Sequence, residues 1–390
     1  MYVERDVVRQ FRKVAKIYPI VAVVGARQAG KTTFLKRQLQ KQGGEYLLFD
    51  DRDIRRLFED DVKKFEVQYL KDRVAILDEV QYCKDPGPLM KYLADTGRRL
   101  WITSSTETLL SKNVLSYLVG RVSILRFYPF SLPEFLRARQ QKAFSEDVLR
   151  RLIWEHATYG GYPKVVETAD VDMRKTILRD LYETMLLKDT ARVFSIEDVE
   201  SLEQFVLYLA ATVGGIISYD RVSRELGLSF RTVRKYLNAL EQSYFVRRAR
   251  PFYRNRTKEI KKQPKVFFVD GGLRSLLVKD FSATPTGEAF ENYVYTELLK
   301  AGFEPRYWRS KTGAEVDFVV EQEDGLVPME VKLRSDGRVE SGLKAFIEMY
   351  KPKRAFVVFY NGERKEETYK GTEVVFCSVL DMLKQKGRVW

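Results

Sequence analysis

The chain has 390 residues, 45% of them apolar, so it is too long for one ordinary core and apolar enough to bury several. Its 68 Lys and Arg against 54 Asp and Glu leave a net charge of +14, which favours an anionic partner, nucleic acid before membrane. No apolar run reaches the roughly 20 residues that span a bilayer, the charged stretch MYVERDVVRQF lacks the apolar run of a signal peptide, and Cys83 and Cys377 alone make neither a disulfide framework nor a cysteine-rich zinc site, so a cytoplasmic protein without a membrane partner is expected.

The first informative stretch is YPIVAVVGARQAGKTTFLKRQL, Tyr18 to Leu39. The apolar run Ile20 to Val24 predicts a buried parallel strand. Gly25-x-x-x-x-Gly30-Lys31-Thr32 follows, and Phe34, Leu35 and Leu39 then repeat at helical spacing. Strand, glycine loop and helix are the setting a P-loop requires. Gly25 and Gly30 let backbone amides close round phosphates, and the helix start, with Thr33, adds its partial positive charge. Lys31 is placed to reach the β- and γ-phosphates of ATP, and Thr32 to ligate Mg2+.

A second apolar strand, Val74 to Leu77, runs into Asp78-Glu79, the pattern of a Walker B element. Asp78 is expected on the Mg2+ side and Glu79 as the base that polarises the attacking water. A third strand, Arg99 to Ile102, ends in Thr103-Ser104-Ser105-Thr106, whose hydroxyls, Ser104 among them, are candidates to sense the γ-phosphate. Arg121, just after Gly120, is either an arginine finger, in cis or from a neighbouring copy of the chain, or one half of a surface ion pair.

These pieces, GARQAGKTT, ILDEVQ, ITSS, LVGR and FYPFSLPEF, give residues 18 to 136 a resemblance to AAA-type P-loop ATPases of archaea and bacteria. In such proteins the core is followed by a C-terminal region of poorly defined role, which YGGYPKVVE, the YWR of Tyr307 to Arg309, EVDFVV and EVK resemble here. Thr103 stands where these ATPases usually carry glycine.

Ser145 to Phe205 reads as helices broken at Tyr159-Gly160-Gly161-Tyr162-Pro163, a turn signal. His156 is expected to be a packing residue. Residues 201 to 262 carry 13 Lys and Arg against 5 Asp and Glu, or +8. Within them DRVSRELGLSFRTVRKYLNALEQ predicts helix, a turn at Gly227-Leu228-Ser229, and a second helix capped by Ser229. Val233, Leu237 and Leu240 then face a core, and Arg231, Arg234, Lys235 and Asn238 face outward as on a recognition helix. The sequence after it predicts two strands round a basic loop, Arg254 to Lys262, with Arg254, Arg256, Lys261 and Lys262 as further nucleic-acid contacts. Such a winged helix serves either as a DNA reader or as a packing module, and the basic loop favours DNA.

The C-terminal stretch predicts a helix over Thr284 to Phe303, strands at PRYWR, Ala314 to Glu321 and Leu326 to Leu333, a helix near Leu343 to Tyr350, and the strand RAFVVFY. The order αβββαβ is that of a PD-(D/E)xK nuclease core, and the family resemblance points the same way. Glu330 and Lys332 lie two apart on one strand and so leave the same face, with Asp317 alongside across a hairpin. Asp317, Glu330 and, from the helix, Glu291 are expected to hold Mg2+, with Glu297 as the alternative to Glu291 and the Val331 carbonyl as a further ligand. Lys332 would orient the attacking water.

The expected organisation is α/β throughout: a P-loop ATPase core over 1–137, a helical lid over 138–200, a winged helix over 201–270 and a nuclease-like domain over 271–390. The expected partners are DNA, with RNA open, and a second copy of the chain. The expected function is an ATP-hydrolysing DNA-associated ATPase. Its rival is a nucleotide-dependent switch that binds a protein partner and carries an inactive nuclease fold.

Overall fold

A computed structural model describes residues 2–107, 112–140, 145–253, 262–323 and 325–384. The chain forms two compact units. The first holds Met1–Phe130, Glu183–Ser195 and Gln242–Tyr244, and the second holds Ser131–Tyr182, Ile196–Glu241 and Phe245–Trp390.

The first unit is built on five parallel strands, β1 (Ile20–Gly25), β2 (Glu45–Leu48), β3 (Val74–Asp78), β4 (Arg99–Ser104) and β5 (Val122–Phe127), in the order β2-β3-β4-β1-β5. Every residue of β1 is buried, as an apolar strand covered on both faces must be. Alternation along the strands separates two packing layers. Trp101 meets Phe11 from the helix Val8–Ile17, which also touches Phe34 from the helix Lys31–Leu39. Ile20, Ala22, Leu100 and Ile102 instead join Phe49, Phe58 and Phe65. At the end of β1, Gly25 lies against β5 so closely that a Cβ would stand 1.8 Å from the Phe127 carbonyl oxygen.

In the second unit, three helices, Val199–Ala211, Tyr219–Leu226 and Phe230–Gln242, precede the antiparallel pair β6 (Val246–Ala249) and β7 (Lys265–Phe268). Ile216 bridges Lys265 as a short third element beside β7. The chain leaving β6 is tied to the next sheet, where Pro251 bridges Tyr307 and the Tyr307 hydroxyl donates to the Gln263 carbonyl at 2.7 Å. That sheet follows the helix Gly287–Lys300. It holds β8 (Arg306–Arg309), β9 (Glu315–Gln322), β10 (Gly325–Arg334), β11 (Arg354–Asn361), β12 (Lys365–Tyr369) and β13 (Thr372–Ser378), in the order β12-β13-β11-β10-β9-β8. β8, β9 and β10 run antiparallel, and β11 joins β10 in parallel after the helix Ser341–Tyr350. The paired glycines of YGGYP have a local cause. Gly160 ends the helix Glu146–Tyr159 with φ +77°, and a Cβ there would stand 1.9 Å from Asp270 Oδ1. Asp270 caps its own helix at Gly272 and also accepts the Gly161 amide at 2.8 Å.

Two parts of the architecture differ from the sequence expectation. Residues 183–195, inside the segment expected as the lid, belong to the first unit, where Met185–Ala191 forms a π-helical turn. β12 and β13 extend the C-terminal sheet beyond the expected RAFVVFY strand.

Gly25→Ala is expected to destabilise the first unit by at least about 1–3 kcal/mol, the cost of forcing atoms into a filled space. A urea denaturation followed by circular dichroism reads this as a lowered midpoint, and an unchanged midpoint would contradict the close approach of β1 to β5.

Candidate functional site

The carboxyl ends of β1, β3 and β4 gather the expected phosphate-site residues. Lys31 is 5% exposed and donates to the Gly25 and Ala26 carbonyls at 2.9 Å each. Burial pulls its pKa below the ordinary lysine value, against the opposing pull of Glu79. Thr32 Oγ1 donates to Asp78, 3.0 and 2.9 Å from the two carboxylate oxygens. Asp78 also accepts from the Tyr46 hydroxyl at 2.7 Å and from Thr103 Oγ1. Thr32 and Asp78 thus present oxygen donors side by side, a set that suits Mg2+. Thr33 follows at the helix start with its side chain exposed, and Gly30 precedes the helix at φ +96°.

Glu79 follows Asp78 with φ +61°. Its amide donates to Thr103 Oγ1 at 2.9 Å, and its Oε2 accepts from the Gln81 side-chain amide. Gln81 Nε2 also reaches Ser105 Oγ at 3.1 Å, and Ser105 donates to Asp189 Oδ1 at 2.9 Å. Asp189, in the π-helical turn, receives two hydrogen bonds from Arg27 of the P-loop, at 2.7 and 2.8 Å. A connected polar path therefore runs Glu79, Gln81, Ser105, Asp189, Arg27. The hydrogen bond to Asp189 is the main reason the Arg27 pKa is raised, and it outweighs burial. Arg5 braces the same loop, donating to the Ala29 carbonyl at 2.7 Å and the Tyr128 carbonyl at 2.6 Å.

Two expectations here are corrected by strand geometry. Ser104 is buried with its hydroxyl on the Thr106 carbonyl at 2.7 Å. Thr103 and Ser105, its neighbours on the opposite strand face, are the hydroxyls at the site. Arg121 lies at the amino end of β5, where its carbonyl accepts the Ile20 amide, and it pairs with Asp95 at 2.8 Å. The P-loop opens at the other end of β1, roughly 17 Å away at 3.3 Å per strand residue. A finger in cis does not fit that position.

In the second unit, helix Phe230–Gln242 buries Val233, Leu237 and Leu240 completely and exposes Arg231, Arg234 and Lys235, with Asn238 half-buried. Ser229 caps it, accepting the Thr232 amide at 3.0 Å. Lys262 is exposed, and Arg254, Arg256 and Lys261 lie outside the described residues. His156 packs between aromatic rings, stacked on Phe135 at 4.6 Å and hydrogen-bonded to the Tyr293 hydroxyl at 3.0 Å.

The acidic residues of β9 and β10 are neighbours but do not close on a common point. The antiparallel ladder ends at Met329 and Phe318, so Glu330 and Asp317 come next, side by side. Asp317 Oδ2 accepts the Val331 amide at 2.8 Å, so Val331 presents a donor to it. Glu330 Oε1 pairs with Lys332 at 3.1 Å, as the two-residue strand repeat requires, and Lys332 also reaches Glu340 at 3.4 Å. Glu291 lies in the same neighbourhood, whereas Glu297 is buried elsewhere on the Leu132 amide and Lys300. Lys265 of β7 stands among these acids, 3.2 Å from Glu291 and 2.7 Å from Glu315. Burial pushes the Glu330 carboxyl up to about 8 and Glu291 up to about 7, with Asp317 adding to both and the adjacent lysines opposing. Burial also raises Asp317. Among the described residues no three His, Cys, Asp or Glu side chains are grouped to hold a metal ion. As they stand, Glu291, Asp317 and Glu330 do not fit a shared Mg2+.

Residues 18–136 match the family described as an AAA domain. The match and the phosphate-site geometry support an AAA-type P-loop ATPase fold. Residues 150–284 and 286–380 match two domains of unknown function, DUF8612 and DUF4143. An uncharacterized protein of Haemophilus influenzae is 26% identical over 392 residues, covering 94% of each chain. An uncharacterized protein of Mycobacterium tuberculosis is 28% identical over 401 residues, covering 99% of this chain and 85% of that one. The Walker-type ATPase of Pyrococcus abyssi is similar at a TM-score of 0.49 and 15% identity, over 70% of this chain and 96% of that one. No helix among the described residues is long and apolar enough to cross a membrane.

Several residues of the two sites are not singled out by the sequence patterns. Tyr46 and Asp189 reach the phosphate site from distant stretches of chain, and nothing local marks them. Arg27 stands in plain view inside GARQAGKTT, and Lys265 opens the apolar run KVFFVD, where a lone lysine is itself a signal. Arg27→Met is expected to cost about 3–5 kcal/mol by leaving Asp189 buried without its cation. Adding Asp189→Leu is expected to restore most of that loss. Urea midpoints of the two variants test the pair, and equal loss in both would contradict it.

Proposed function

We propose that the chain is an ATP-hydrolysing, DNA-associated ATPase. The observation that carries the first half is Thr32 beside Asp78 at the mouth of a P-loop whose Lys31 is buried. Lys31 would turn from the Gly25 and Ala26 carbonyls to the β- and γ-phosphates, and the loop amides would hold the chain of phosphates in place. Thr32 and Asp78 would hold Mg2+, which would supply charge neutralisation on the phosphates. Glu79, one residue beyond Asp78, takes the proton of the attacking water, while Gln81 fixes one of its carboxylate oxygens.

The polar path from Glu79 passes through Asp189, within a segment whose two ends both continue into the second unit. That continuity is the proposed route by which nucleotide state reaches the rest of the chain. DNA association rests on Arg231, Arg234 and Lys235 on an exposed helix face, in a three-helix and two-strand arrangement of winged-helix order. Arg121 remains a proposal only as a finger toward the nucleotide of a second copy in a homo-oligomer. The cytoplasm is the proposed location, in keeping with Cys83 and Cys377 both being buried and unpaired.

For the C-terminal domain, the αβββαβ order and the D…ExK residues support a PD-(D/E)xK-like fold. The lysine among its acids favours the second reading, in which that fold is a switch or scaffold without nuclease turnover.

Lys31→Ala is expected to abolish detectable ATP binding, and Glu79→Gln to keep binding but slow phosphate release roughly 100-fold or more. Unchanged turnover in both would reject the site. Arg234→Ala with Lys235→Ala is expected to weaken DNA binding, and to flatten its salt dependence by about 0.9 in slope for each phosphate the protein no longer neutralises. Fluorescence anisotropy across a salt series reads both. Binding that is absent, or untouched by the changes, would leave the three-helix module as a packing element.

A further inference from the structure

The acidic site contains a group that a metal site does not call for. Lys265 is 5% exposed and enters from β7, outside the six-stranded sheet that carries the acids. Its ammonium donates to Glu291 on the helix and pairs with Glu315 on β9. The backbone is arranged to keep it there. Ile216 bridges Lys265, the Gly214 amide donates to the Val266 carbonyl, and the Ile217 amide donates to the Pro264 carbonyl. Gly214, at φ +73°, lies so near Glu291 that a Cβ would stand 3.3 Å from its Oε2.

The acids are not fully answered by this cation. Glu330 is 8% exposed, and its Oε2 is buried without a hydrogen-bond partner. A buried carboxylate oxygen with no donor is costly. An added cation would answer that oxygen. Two cations in so small a space repel each other, and an ammonium donating to Glu291 takes the carboxylate that a divalent ion would need.

We propose that Lys265 is an internal counter-ion that keeps the Glu291, Asp317 and Glu330 site from taking a divalent cation, so that the site accepts metal only when this ammonium is removed or withdrawn. The proposal rests on reading those three acids as a latent metal site, and it explains why they do not converge while Lys265 is in place. It also separates the domain's fold from its activity: the residues of a metal site are present, and a fourth residue from a neighbouring module silences them.

The test is calorimetric titration of the full chain with Mn2+, in an Asp78→Asn background that removes the P-loop carboxylate from the measurement. Lys265→Met is expected to bind Mn2+ at least tenfold more tightly than the chain that keeps Lys265, and the gain is expected to vanish on adding Asp317→Asn. Lys265→Arg, which keeps the cation, is expected to stay weak. Removing the lysine alone leaves its acids unpaired. Lys265→Met combined with Glu315→Gln is therefore titrated as well, with circular dichroism confirming the fold, and is expected to show the same gain. Equal affinity with and without Lys265, abolished by Asp317→Asn, would overturn the counter-ion while leaving a metal site. No Mn2+ bound in either lysine-free protein would overturn the counter-ion and the metal site together.

Discussion

A charge taken out of water must be met inside the protein, and the principal sites of this chain are arranged round cations that obey that rule. Lys31 is met by two P-loop carbonyls, Arg27 by Asp189, and Lys265 by Glu291 and Glu315. The three answers differ in strength. Carbonyl dipoles compensate an ammonium only in part, and the lowered pKa of Lys31 records the shortfall. A phosphate would meet that cation better than the loop does, which gives nucleotide binding its electrostatic drive. Arg27 and Lys265 are already met by full negative charges, and both are held in the protonated form. The first cation is therefore poised for a ligand, and the other two serve the protein itself.

The Arg27 pair also gives the P-loop a connection that a strand–loop–helix motif does not have by itself. Asp189 accepts from both Arg27 and Ser105, and Ser243 donates to its backbone carbonyl at 2.9 Å. Residues 183–195 and 242–244 are returns of the chain into the first unit. Each is continuous at both ends with the second unit. Both segments lead directly into the three-helix module.

Much of the phosphate site is legible in the sequence because local patterns carry it. The apolar run before Gly25 and the Asp78-Glu79 pair after a second run mark both strands and their order of use. The two-residue repeat likewise places Glu330 beside Lys332. What the sequence hides comes from long-range packing. Tyr46 and Asp189 reach Asp78 and Arg27 through topology alone. Arg121 resembles a finger by its place after Gly120, but the parallel register of β1 and β5 puts it at the far end of the sheet. Ser104 sits in a hydroxyl cluster in which strand alternation favours its neighbours. β12, KEETY, is a charged edge strand with little apolar alternation, which is the usual disguise of an edge. Lys265 lies at the start of an apolar strand, and only the assembled sheet shows which acids it faces.

The central claim is that Lys31 awaits a phosphate and that Thr32 and Asp78 await its metal. The most direct measurement is a crystal structure of the chain with a non-hydrolysable ATP analogue and Mg2+. The account predicts that the Lys31 ammonium leaves the Gly25 and Ala26 carbonyls for phosphate oxygens, with the ion seated at Thr32 and Asp78. A nucleotide bound elsewhere, or a Lys31 still resting on the two carbonyls with phosphates in the loop, would contradict it.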